Sequence, residues 1–215
     1  MPVRKIPKNY RSITGKLAKH DGTGSAGFES ALERDAYTLF AFHPEYQALE
    51  EQPVRITYLG SDQKSHSYVP DALVTFKDDT RVLVEVKYVT ELQRLIKEDG
   101  YAERIRAARQ FAREQGWRFR VYTERDIRTP RLLNARFLLT YRSRAVPASD
   151  GQKITALLRI TAPLSVHTLL EHLSAGDRMA RARLVVAVWH LIAHHRLRVD
   201  LDVPLNDHSV IQGVT

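Results

Sequence analysis

Glu33, Asp71, Glu85 and Lys87 are the residues of this sequence whose types and arrangement could carry chemistry. The strongest local signal is Val82-Leu83-Val84-Glu85-Val86-Lys87. In a strand, side chains two apart share a face, so Glu85 and Lys87 point one way while Val82, Val84 and Val86 point the other. A strand apolar enough to be central thus ends in a carboxylate beside an ammonium, and buried charge is costly unless it is paired or ligates a metal. Taken alone, a solvated strand end with a local ion pair is the commoner explanation. Asp71 changes the weighing. It follows Pro70 in the preceding strand, and the short connection at 77–80 makes the two strands antiparallel. From a turn centred near residue 79, Asp71 lies eight positions back and Glu85 to Lys87 six to eight forward, so the two ends meet. An isolated Pro-Asp would more often be a plain edge-strand start. Glu33 lies beside the apolar stripe of a helix, one turn from Glu29 and Tyr37. Spacing does not place it, and most helical glutamates are solvated helix formers. Three carboxylates and a lysine are what metal-assisted phosphodiester hydrolysis requires: carboxylate oxygens suit Mg2+ or Mn2+, and the lysine orients the nucleophile or stabilises charge on the phosphate.

The elements that must position these residues follow from periodicity. A stripe of Phe28, Leu32, Ala36, Leu39 and Phe40 predicts a helix over 28–42, with Ser25 as N-cap and Pro44 beyond its end. Strands are expected at 54–59, 67–76 and 81–86, the last two joined by Lys77-Asp78-Asp79-Thr80. Residues 91–115 read as helical with a break near Gly100 and an end at Gly116, and a strand follows from Trp117. Helix, three strands, helix, strand describes an α/β domain with a central mixed sheet. Thr129-Pro130 opens a further helix reaching about Tyr141. Pro147, Ser149, Asp150 and Gly151 mark a boundary, so the expected organisation is a basic arm over 1–27, the α/β domain over 28–145 and a small domain over 146–215. In that last part, helices over 166–173 and 178–195 lead into a strand at 197–201. This suggests a winged-helix module whose wing spans 197–211.

A length of 215 residues accommodates one ordinary domain and a small second one. The hydrophobic fraction of 43% and charged fraction of 27% match soluble globular proteins and exclude disorder over most of the chain. No apolar run approaches the roughly 20 residues of a membrane span, and Arg4, Lys5 and Lys8 are not followed by a signal-peptide core. A cytoplasmic protein without membrane partners is expected. The absence of cysteine removes disulfides, thiolate metal sites and cysteine nucleophiles. A net charge of +8 points to a polyanionic partner, most commonly nucleic acid. The extended arm, with Arg4, Lys5, Lys8, Arg11, Lys16 and Lys19, reads equally as a frayed terminus and as an arm lying along phosphates. His190 and His194 are four apart on a helix but lack an HExxH glutamate and a third ligand, so they read as surface and packing residues. Arg178, Arg181 and Arg183 open that helix and Arg196 and Arg198 close it, which suits a DNA-contacting and a protein-docking module equally.

Pro70-Asp71 followed by Glu85-Val86-Lys87 on such a core resembles the restriction-endonuclease-like PD-(D/E)xK nuclease fold. More narrowly, Arg4 to Ser12, Phe28 to Asp35 and Glu51-Gln52-Pro53 resemble the TnsA family, endonuclease subunits of heteromeric transposases that include CRISPR-associated transposons. The resemblance covers about residues 1–145 and is only architectural beyond. It implies that Glu33 is the helix carboxylate, Asp71 the central metal ligand and Lys87 the catalytic lysine. Glu85 fits the general nuclease pattern, although some members carry glutamine there. Glu29 competes with Glu33, and Gln52 is a structural residue or lies near the site. The cofactor implied is Mg2+, with Mn2+ as substitute. The activity implied is cleavage of the 5′, non-transferred strands of double-stranded DNA at transposon ends, alongside a DDE transposase (TnsB) and an AAA+ regulator (TnsC). A free-standing nuclease of the same fold and a non-catalytic adaptor bridging DNA and protein are the alternatives. The carboxylate-lysine set argues against the adaptor.

Overall fold

Val82, Leu83, Val84 and Val86 are all buried, which requires a strand covered on both faces. A computed structural model describes residues 15–18, 25–28, 30–98 and 100–215. In chain order these form β1 (Gly15–Ala18), β2 (Ser25–Phe28), α1 (Ala31–Phe42), β3 (Tyr46–Glu51), β4 (Ile56–Leu59), β5 (Ser65–Tyr68), β6 (Ala72–Phe76), β7 (Arg81–Val86), α2 (Val89–Leu95), α3 (Tyr101–Glu114), β8 (Arg118–Tyr122) and α4 (Glu124–Ile127). There follow α5 (Pro130–Arg142), α6 (Ala148–Thr161), β9 (Leu164–Ser165), α7 (Val166–Ser174), α8 (Arg178–Ala193), β10 (Leu197–Val199) and β11 (Val210–Val214). The chain divides into two compact units between Arg128 and Thr129.

In the first unit a four-stranded sheet runs β3-β6-β7-β8, antiparallel at the first two junctions and parallel at the third. A parallel pair needs a long crossover, which α2 and α3 supply. Leu73 and Leu83 pack with Ala108 and Ala112 of α3 and with Ile56 and Tyr68 of a separate β4–β5 hairpin. In α1, Leu32, Ala36, Tyr37 and Phe40 are buried, and the Phe40 ring meets Tyr122 edge-on at 5.2 Å.

Several expectations are corrected. The first helix begins at Ala31, capped by Ser30 rather than Ser25, because Ser25 and Phe28 are drawn into β2 by pairing with β1. The remainder of the basic arm, and Glu29, lie outside the described residues. The first strand of the main sheet is β3, which periodicity did not find. The strand read at 54–59 belongs to the hairpin instead. The single strand read over 67–76 is two strands in different sheets, divided at Val69-Pro70, since proline has no N–H to continue a ladder. The break near Gly100 is present, with Gly100 at φ 90 before α3.

The second unit begins at Thr129, not at 146. Its α5 buries Leu132, Ala135 and Leu138, and buried Asn134 donates to the carbonyls of Leu201 and Val203 at 2.9 and 2.7 Å while accepting from the Leu205 N–H at 3.0 Å. The segment read as a linker is largely the helix α6. Asp150, 1% exposed, is no turn residue but the partner of Arg183 on α8, at 2.6 Å. A three-stranded sheet in the order β10-β11-β9 closes the unit. His190 Nδ1 and His194 Nε2 lie 3.1 and 3.0 Å from the carbonyls of Tyr141 and Arg142, so both histidines fasten α8 to the end of α5. Among the described residues no helix is long and apolar enough to cross a membrane.

Candidate active site

The β6–β7 ladder aligns Ala72 with Val84, which sets Asp71 opposite Glu85. The connection that fixes this register is short and locally held. Asp79 takes a positive φ of 61, and Asp78 Oδ1 accepts from the Thr80 N–H at 3.0 Å.

Asp71 is held from several elements at once. Its N–H donates to the Val84 carbonyl at 3.1 Å. Its carbonyl accepts from the Gln52 N–H at 2.9 Å and from the Tyr37 hydroxyl of α1 at 3.0 Å. Its Oδ2 accepts from the Val86 N–H at 2.6 Å. A carboxylate so tethered is preorganised before any ligand arrives. Lys87 Nζ sits 3.8 Å from Asp71 Oδ2 and 2.9 Å from Glu85 Oε1. Glu85 is 2% exposed, and its Oε2 accepts from the buried Tyr68 hydroxyl at 2.5 Å.

The electrostatics follow from this packing. Burial, then Glu85 and Glu33, push the Asp71 carboxyl well above its ordinary value of 3.8, against the opposing pull of Lys87 and the Val86 N–H. Burial alone would lower the Lys87 ammonium, but Asp71 and Glu85 more than offset it and raise it above its ordinary 10.5, so Lys87 remains a cation at neutral pH.

The structure therefore brings Asp71, Glu85 and Lys87 into contact. Glu33 lies close enough for its charge to act on Asp71, on the first turn of α1, where its N–H and carboxylate both bond the Ser30 hydroxyl at 3.1 and 3.0 Å. The Ser-x-x-Glu spacing of Ser30 and Glu33 is a helix-start signal that was legible and fixes where this carboxylate stands. Gln52 contributes its backbone, beside a positive φ of 46. Tyr37 and Tyr68, which touch Asp71 and Glu85, carry no motif and were not foreseen.

Among the described residues no three acidic, histidine or cysteine side chains close into a ligand cluster. Charge and donor type nonetheless fit a hard divalent cation: the charges of Glu85 and Glu33 both act on the Asp71 carboxyl, and Lys87 contacts Asp71 and Glu85.

Residues 43–124 match the family described as TnsA-like endonuclease N terminal, a span that contains Asp71, Glu85 and Lys87 but not Glu33. No curated protein matches the chain. The mixed sheet, with the acidic pair and lysine at the shared end of β6 and β7, fits the restriction-endonuclease-like fold, and over residues 43–124 the chain is similar to the TnsA-like endonuclease N-terminal family.

Proposed function

We propose that this protein is a metal-dependent DNA endonuclease subunit of a heteromeric transposase, cleaving the 5′, non-transferred strands at transposon ends. The observation that carries this reading is the contact of Asp71, Glu85 and Lys87 across β6 and β7 inside a TnsA-like domain. Asp71 and Glu85, with Glu33 from α1, would hold Mg2+, for which Mn2+ can substitute. A bound divalent cation supplies Lewis acidity toward a phosphate and eases the ionisation of water. Lys87 contributes a fixed positive charge that can donate to a phosphate oxygen or orient the attacking water. The hydrogen bonds on Asp71 keep its carboxylate aimed without reorganisation during the reaction.

Double-stranded DNA is the substrate in this reading. Acidic residues slightly outnumber basic ones over 30–128, so the excess positive charge of the chain resides in 1–29 and 129–215. Phosphate attraction would then come from the flanks and leave the metal site acidic. A DDE transposase of the TnsB type and an AAA+ regulator of the TnsC type are the proposed partners. The second unit is read as winged-helix-like, supported by its order of α6, β9, α7, α8, β10 and β11. Arg181 is paired with Glu171 and Arg183 with Asp150, ion pairs that a phosphate would have to displace. That supports a protein-docking use of the start of α8.

The test is strand-specific cleavage of transposon-end DNA in Mg2+ by the full chain with its transposase and regulator. Asp71→Ala and Lys87→Ala are each expected to abolish 5′-strand cleavage, by at least about 100-fold, while assembly with the transposase persists. Undiminished cleavage by both variants would sink the reading, and cleavage by the isolated chain would favour a free-standing nuclease.

A further inference from the structure

We propose that Tyr68 is a positioning residue for the metal site: its hydroxyl fixes Glu85 so that the other carboxylate oxygen faces Lys87 and Asp71. The inference rests on the nuclease reading above and assigns a role to an element outside the nuclease sheet.

Tyr68 ends β5, in the hairpin inserted between β3 and β6. It is 6% exposed, and its hydroxyl donates to Glu85 Oε2 at 2.5 Å, while Glu85 Oε1 lies 2.9 Å from Lys87 Nζ. Both oxygens of a buried carboxylate are thereby assigned: one is anchored from behind, the other is presented to the site. A carboxylate oxygen has no proton to give, so the phenol hydroxyl is the donor in this bond.

The ring that carries this hydroxyl is itself braced. The Arg104 guanidinium of α3 lies 5.4 Å from the Tyr68 ring centre and 4.9 Å from that of Tyr101. Arg104 Nε and the Tyr101 hydroxyl are buried without a hydrogen-bond partner, so at these atoms the guanidinium is held by ring faces. Ile56 and Tyr68 seat the hairpin against Leu73, Leu83 and Ala108. The main sheet is complete without the hairpin, since β3 pairs directly with β6. What the hairpin delivers to the site is therefore the Tyr68 hydroxyl. Groups that orient metal ligands in this way set affinity by about 10- to 100-fold.

The experiment is calorimetric titration of Mn2+ into the full chain and its variants. Tyr68→Phe keeps the ring and removes the donor; it is expected to bind Mn2+ about 10-fold or more weakly. Glu85→Gln weakens binding too, and adding Tyr68→Phe to it costs nothing further if Tyr68 acts through Glu85. Leu73→Ala opens the same apolar cluster without touching the hydroxyl, and its Mn2+ affinity should equal that of the parent despite lower stability. The role is overturned if the Tyr68→Phe isotherm superimposes on the parent's, if its loss adds fully to that of Glu85→Gln, or if Leu73→Ala weakens binding equally. Asp71→Ala separates the two levels. Unchanged Mn2+ binding in Asp71→Ala overturns the nuclease reading itself, whereas abolished binding there with an unchanged Tyr68→Phe overturns only the positioning role.

Discussion

Asp71 sits in a field of like charge, and that has a consequence for stability as well as for metal binding. In the folded chain burial, Glu85 and Glu33 raise its carboxyl well above the 3.8 at which it titrates when unfolded. The folded state then holds more protons than the unfolded state between those two values. Stability present below 3.8 is accordingly lost as pH rises through the folded value. Asparagine keeps an oxygen for the Val86 N–H and carries no charge. Asp71→Asn should therefore be at least as stable as the parent at neutral pH in a chelator, and lose less stability from about pH 4 upward. Urea denaturation at a series of pH values checks this. A variant less stable than the parent, or parallel curves, would refute it. The same residue shows how far a site can be read without coordinates. Asp71, Glu85 and Lys87 could be joined because a short connection converts sequence distance into strand register. Glu33 could not, because its helix reaches the site by tertiary packing. Tyr68 left no trace, because a tyrosine in a strand is ordinary until its hydroxyl is seen against Glu85.

At the scale of elements, two glycines carry opposite expectations. Gly116 ends α3 at φ 72, with nothing within 4 Å of where a Cβ would stand, so space is free and only the backbone objects. Gly116→Ala should lower stability by about 1 kcal/mol. Gly151 lies within α6, where an added Cβ would meet only Leu191 Cδ2 at an ordinary 3.9 Å, and alanine there should raise stability by up to about 1 kcal/mol. Urea denaturation of both variants gives the signs, and a destabilised Gly151→Ala would contradict a helix at that position. The pair also marks where local reading succeeds. Gly116 announces the end of its helix by a conformation alanine avoids. Gly151, beside Asp150, imitates a turn, and the helix exists because Asp150 is buried against Arg183 while Ile154 and Leu158 fill the core of the second unit. β3 was invisible for a related reason. Its glutamates, Glu50 exposed and Glu51 half-buried, obscure the alternation, and Leu49 is its fully buried residue.

At the scale of the whole molecule, the position of the boundary decides what each unit needs in order to fold. Pro147 to Gly151 has the composition of a linker, yet the break in packing falls earlier, between Arg128 and Thr129. Within the second unit, α5 packs chiefly on α8. Leu132, Ala135 and Leu138 are inaccessible to water, Asn134 satisfies three backbone groups of residues 201–205, and Arg131 forms paired hydrogen bonds with Asp202 at 2.9 and 2.8 Å. Its far end is tied as well, since Arg142 donates to the Ala193 carbonyl at 3.0 Å and the two α8 histidines lie on the last carbonyls of α5. Removing α5 would uncover the face of α8 that it covers, including Trp189, whose ring meets Phe137 edge-on at 5.2 Å, and would strip the partners from the 201–205 segment. Each buried apolar side chain so exposed forfeits about 1.5–3 kcal/mol, against a total stability of only about 5–15 kcal/mol for a domain. A fragment spanning 129–215 should therefore unfold in one cooperative thermal transition followed by circular dichroism. A fragment spanning 146–215, cut where composition suggests, should not. Equal cooperativity in the two fragments would mean that α5 is an appendage of the second unit, and equal failure would mean that residues before 129 are needed to complete it.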